Sequence, residues 1–136
     1  MNTERLSELL KMLGTIPNDN LNLSAWAFED IEDRSQKQLI NCGTTCCAVG
    51  WACSHPPFID AGLHWSHRDE PVPAYLKHSS WDAVEAFFEI NNAVATWLFS
   101  EDSYPSKYSI KDVRKRIKKI IENEDFYDFI AESYIY

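Results

Sequence analysis

Leu6, Leu9, Leu10 and Leu13 recur at helical spacing between Thr3, which can cap a helix start, and Gly14, placed where a helix-ending glycine belongs. The spacing predicts a first helix over 3–13. Pro17-Asn18-Asp19-Asn20 then reads as a turn. Leu21, Leu23, Ala25 and Ala27 alternate with polar or aromatic residues, leaving a short strand and extended coil both open over 21–28. Residues 29–37 are charged and read as a surface loop or a frayed helical turn. From Cys42 to Pro57 the pattern changes, and nearly every position is small or apolar. That is how a fully packed central helix reads, expected over 44–54 with Thr44 or Thr45 at its start. His55-Pro56-Pro57 should end it, because proline pushes its predecessor out of helical geometry. Gly50 costs such a helix roughly 1 kcal/mol relative to alanine, so it is expected where a neighbouring element approaches closely.

Residues 58–79 form a long connection containing Gly62, Pro71 and Pro73. Within 62–76, Leu63-His64-Trp65 and Val72-Pro73-Ala74-Tyr75 can pair as a small hairpin, and a connection this long is often functional. Ser79 or Ser80 is expected to cap the next helix, whose apolar face is Trp81, Val84, Phe87 and Phe88. Asn91 opens a short helix through Ala93, Val94, Trp97, Leu98 and Phe99. Ser109-Ile110-Lys111-Asp112 has the form of a capping box with aspartate in the acidic place. The amphipathic helix behind it carries Ile110, Val113, Ile117, Ile120 and Ile121 on one side. Lys111, Arg114, Lys115, Lys118 and Lys119 lie on the other. Phe126, Phe129, Ile130 and Ser133 predict a last short helix docked on the body.

The fold class expected is therefore mainly α: a single domain over 1–136, with about five helices around the central helix. Length supports this, since 136 residues suffice to bury roughly two thirds of the unfolded surface. No run approaches the ~20 apolar residues of a membrane span, and the polar Met1-Asn2-Thr3-Glu4-Arg5 start does not read as a signal peptide. The expected location is the cytoplasm, of a bacterial host, with all four cysteines reduced. A net charge of −8 argues against general affinity for duplex nucleic acid. It suits solubility or a basic partner.

Cys-Gly-Thr-x-x-Cys-x-x-Gly-x-Ala, at Cys42, Gly43, Thr44, Cys47, Gly50 and Ala52, resembles a motif of small uncharacterised phage and bacterial proteins. The likeness continues at Trp81-Asp82-Ala83-Val84 with Phe87-Phe88, at Trp97-Leu98-Phe99-Ser100 and Ser103-Tyr104-Pro105, and into the capped helix at 109–121. It covers residues 40–121. The resemblance implies a phage-type accessory protein and brings no activity with it. Small phage accessory proteins often act by binding a host component, as inhibitors or counter-defence factors.

Three constellations are candidates for chemistry. A thiol-dependent hydrolase would use Cys42, placed before a helix start that favours its thiolate. Gln36 would serve the oxyanion and His64 would be its base, with His55, His67 and His78 as further candidates. Against this, papain-like hydrolases carry the histidine on a strand well downstream, and no histidine follows His78. A zinc-stapled interaction module would join Cys42 and Cys47 (or Cys46) to His64 and His67, two thiolates and two imidazoles in a tetrahedral set. The bland alternatives are buried packing cysteines and solvated loop histidines.

The third is a binding surface. Trp65, His67 and Arg68, flanked by Tyr75 and Lys77, mix aromatic faces with positive charge and suit stacking or an interface anchor. The plain alternative is that Trp65 closes the core beneath the loop. Lys111, Arg114, Lys115 and Lys118 form the positive stripe, ordinarily just the wet side of an amphipathic helix. If functional, it suits a nucleotide or an acidic protein patch. Trp26, Trp51, Trp81 and Trp97 are expected in the core or at its edge. The reading preferred is a non-catalytic binding protein without cofactor, engaging a host protein or a small nucleotide-like ligand.

Overall fold

A computed structural model describes residues 1–17, 21, 23, 47–66 and 72–133. Among them lie seven α-helices and a three-stranded antiparallel sheet. The chain is mainly helical, with the expected hairpin.

Helix α1 (Thr3–Leu13) buries Leu6, Leu9, Met12 and Leu13. Its cap is Asn2, one residue before the expected Thr3: the Asn2 side chain accepts from Arg5 N at 3.0 Å. The central helix is shorter than the pattern suggested. Helix α2 (Ala48–Ala52) starts after Cys47, whose Sγ accepts from Gly50 N at 3.2 Å. The expected caps Thr44 and Thr45 lie outside the described residues. All five α2 residues are buried, as the apolar run required.

His55 is extended, as a residue before proline should be. Yet Pro56 and Pro57 also begin a helix, α3 (Pro56–Asp60), that the pattern did not predict. Proline suits a first helical turn because its missing N–H would have no partner there.

Strands β1 (His64–Ser66) and β2 (Val72–Tyr75) pair with Trp65 opposite Pro73. A third strand, β3 (His78–Ser79), folds back through Leu76-Lys77 and sets Tyr75 opposite His78. Helix α4 (Trp81–Phe88) follows. Ser80 holds its cap position, but at φ +56° and without a side-chain capping bond, so the expected serine cap is absent.

Helix α5 (Asn92–Phe99) is capped as expected, with Asn91 Oδ1 accepting from Val94 N at 3.0 Å. A 3-10 turn (Glu101–Ser103) leads towards α6 (Ile110–Glu122), where Ser109 N donates to the Asp112 carboxylate at 2.8 Å. This is the backbone half of the capping box. The last helix, α7 (Glu124–Ser133), buries Ile130 against the body.

The core is centred on aromatic rings. Phe58 meets Phe87 and Phe88 edge-on, with centroids 5.2 and 5.9 Å apart, and Phe88 reaches Phe99 at 5.8 Å. Around this knot α1 joins the end of α4: Asn2 N donates to Phe88 O at 2.8 Å and Arg5 Nη1 to Phe87 O at 2.8 Å. Val113, Ile117 and Ile120 of α6 are fully buried, which turns the lysine side of that helix to solvent. The alternating stretch at 21–28 lies mostly outside the described residues.

Candidate functional site: the cationic face of α6

Ile110, Val113, Ile117 and Ile120 recur every three or four residues, so one stripe of α6 enters the core and the complementary stripe is wet. Lys111, Arg114, Lys115, Lys118 and Lys119 are all exposed there. Among the described residues, no ion pair joins any of these lysines, or the neighbouring Lys107, to a carboxylate. In a chain of net charge −8, this gathers unneutralised positive charge on one face.

The two arginines of the helix are spent on the fold. Arg114 reaches back to α1, where its Nε donates to Leu10 O at 3.1 Å. The contact suits a cation beside the last-turn carbonyls of a helix. Arg116 is tied more firmly. Its Nη1 donates to Trp97 O at 2.6 Å and to Ser103 Oγ at 3.0 Å, and its Nη2 donates to Ser103 O at 2.8 Å. The guanidinium lies over the rings of Trp97 and Tyr104, 4.8 and 3.7 Å from their centroids.

Three openings border the stripe; one lies by Gly14 and Ser109 and meets only Lys111 and Arg114 of it, and two hold the rest of its lysines. Of these two, the first, of about 380 Å³, is lined by Leu10 and rimmed by Lys111, Arg114, Lys115 and Lys118. The second, of about 330 Å³, lies against Trp97, Tyr104 and Arg116 and is rimmed by Lys107, Lys115 and Lys119. Lys115 stands between them. Asp112 also borders the second opening, but its carboxylate is engaged by Ser109 N. The first opening presents apolar surface ringed by cations, which accommodates an acidic, partly apolar surface. The second presents ammonium groups from α6 and from the preceding loop.

The other expected binding cluster is divided. Trp65 is 3% exposed, and its Nε1 donates to Ser54 Oγ at 3.3 Å, so its ring closes the core rather than facing outwards. Tyr75 is half-buried, edge-on to Phe87 at 5.1 Å with the Arg5 guanidinium 5.5 Å from its ring. His67 and Arg68 lie outside the described residues.

Of the candidate hydrolase set, Cys42 and Gln36 lie outside the described residues. His64 is exposed, its Nδ1 2.9 Å from Gly62 O. Of the zinc set, Cys47 is buried and the same burial pushes its thiol up to about 12. It is therefore a protonated cap at neutral pH, sealed inside while His64 is at the surface. Among the described residues no group of three or more histidine, cysteine, aspartate or glutamate side chains is placed to hold a metal. Among them, too, no helix is long and apolar enough to cross a membrane.

Sequence reasoning found the α6 stripe but missed what lies beside it. Lys107 and Tyr104 sit in a loop with no periodic signal, and Trp97 reads as a residue of the core or its edge. Arg116 was not singled out, though its place between the apolar and cationic stripes marks it as half-buried. Comparison with known proteins returns nothing: no family profile, no curated protein and no solved structure matches this chain.

Proposed function

We propose that this protein is a non-catalytic binding protein and that α6 docks an acidic patch of a partner protein. One observation carries the reading: a ladder of exposed lysines with no carboxylate partners among the described residues, bordering Leu10, on a chain that is strongly acidic overall. Unneutralised charge of one sign raises the encounter rate with the opposite sign. Leu10 and the aliphatic stems of the lysines supply apolar contact beside the charges. The resemblance of the Cys42–Ala52 segment to phage-type proteins suits a partner from a bacterial host, with the chain acting as an inhibitor or counter-defence factor.

The experiment is affinity capture from bacterial lysate with three baits: the natural protein, the double variant Lys111→Glu/Lys118→Glu, and Lys77→Glu. Lys77 is exposed on the β2–β3 turn, away from both openings, so its reversal adds two units of negative charge off α6, against four in the double variant. The expected result is an acidic protein retained by the first and third baits and lost from the second, with unchanged thermal midpoints. Equal retention by all three would remove α6 from the interaction.

A further inference from the structure

We propose that the opening between α6 and the α5 end is a separate binding site for phosphoryl groups, taking a di- or triphosphate chain. It is independent of the protein-docking face, because the two openings share only Lys115.

The charge count argues first. Lys107, Lys115 and Lys119 border one opening of about 330 Å³, and Arg116 lies at its base. One carboxylate, Asp112, borders it, giving four cations against one anion. That carboxylate is already held by Ser109 N in the cap of α6. Neither is there an ion pair to relieve the lysines among the described residues. A singly charged carboxylate would leave most of this charge unmatched, whereas a phosphate chain carries two to four charges.

The geometry argues second. Lys115 and Lys119 are one helical turn apart on α6, so their side chains share one side of it. Lys107 comes from the loop before the helix, and the ammonium groups therefore approach from two elements. Lysine acts as a point charge that suits phosphate oxygens without demanding one orientation. Beneath them the guanidinium is fixed by three hydrogen bonds and two rings, so part of the positive field is in place before any ligand arrives. Trp97 and Tyr104 line the opening beside the guanidinium that lies over their rings. Lys119 Nζ rests 4.1 Å from the Phe126 ring centroid, which orders its stem near the rim. The opening is within the size range of small-ligand sites.

The test is titration of isotope-labelled protein with inorganic pyrophosphate, followed by amide NMR shifts, against sulfate at matched ionic strength. The expected result is saturable shifts clustered on residues 97–119, with little response to sulfate. Lys107→Gln/Lys119→Gln should weaken pyrophosphate binding at least about tenfold, the loss of charge-assisted hydrogen bonds. Lys111→Gln/Lys118→Gln, on the other flank, should leave it within about twofold. Adenosine triphosphate compared with inorganic tripolyphosphate then distinguishes sources: tighter binding of the nucleotide points to a nucleoside contact, and equal binding to the phosphate chain alone. Linear, non-saturating shifts would overturn the site, as would equal losses in the two double variants, which indicate diffuse charge. Because the site's own variants are at Lys107 and Lys119 while the docking variants are at Lys111 and Lys118, failure here leaves the α6 docking reading to its own experiment.

Discussion

The guanidinium of Arg116 lies 3.7 Å from the centroid of the Tyr104 ring while donating three hydrogen bonds to Trp97 O and Ser103. Tyr104 in turn donates its hydroxyl to Leu98 O at 2.7 Å. One arginine of α6 thus fastens the end of α5, the 3-10 turn and the loop beyond it, and so holds one wall of the cleft.

Arg116→Ala should therefore destabilise the protein by about 2–4 kcal/mol in chemical denaturation, since it strands Ser103 O, leaves Trp97 O with only the Ser103 hydroxyl as donor and removes a stacked cation. Arg116→Lys should restore little of this. A lysine keeps the charge but not the planar fork that reaches both residues. An alanine variant of natural stability would show that the clamp is incidental.

Leu76 is 77% exposed and has φ +55°, while no positive φ is found at Lys77. With Tyr75 opposite His78, this is the pattern of a two-residue type II′ turn, whose first position favours glycine. Leu76→Gly should relieve steric strain and lose almost no buried surface. It is expected to raise stability by up to about 1 kcal/mol, the greater unfolded-state freedom of glycine offsetting part of the gain. Thermal and urea midpoints check this, and a clear fall would show that the side chain holds the turn.

His55 Nε2 is buried without a hydrogen-bond partner, 3.9 Å from Glu8 Oε1. Burial lowers its affinity for a proton, and Glu8 restores only part of it. A histidine pKa lowered by folding means that the unfolded chain binds the proton more tightly. The stability it contributes is complete above the ordinary value of 6.5 and declines as pH falls through 6.5 towards the lower folded value. His55→Asn should flatten the decline that sets in as pH falls below 6.5, read in urea midpoints. An unchanged pH profile would assign the decline to other groups.

What the sequence made legible was local. Helices α1 and α6 announce themselves because their apolar positions repeat within a few turns, and Asn91 and Asp112 cap through neighbours three residues away. Helix α3 was hidden because Pro56-Pro57 signals both the end of one helix and the start of the next. Strand β3 was hidden because a leucine occupies the turn position where a glycine would have advertised it. Trp65 shows the limit for the site: its composition suited a binding loop, but its pairing opposite Pro73 and its bond to Ser54 draw it inside. The lysine stripe was readable from its period. Its division among separate openings was not, because Leu10, Trp97, Tyr104 and Lys107 arrive there only through tertiary packing.

Cys47 offers the sharpest pH test, because one buried thiol does two jobs. Its Sγ accepts from Gly50 N at the start of α2, and burial drives its pKa from 9.0 to about 12. Iodoacetamide reacts with thiolate, so Cys47 should remain unmodified in the folded protein at neutral pH and react once denatured. Because folding raises the pKa of this acid, its contribution to stability is intact below pH 9 and is lost as pH rises from 9 towards 12. The slope should be roughly 1 kcal/mol per pH unit over that window. Cys47→Ser keeps an acceptor at the cap and removes the thiol, so it should abolish most of that slope. Cys47→Ala should remove the slope and cost about 1 kcal/mol more than the serine variant at pH 7, through the lost cap. Rapid alkylation of Cys47 in the folded protein would show that the start of α2 opens readily and that the thiol is not the sealed cap described.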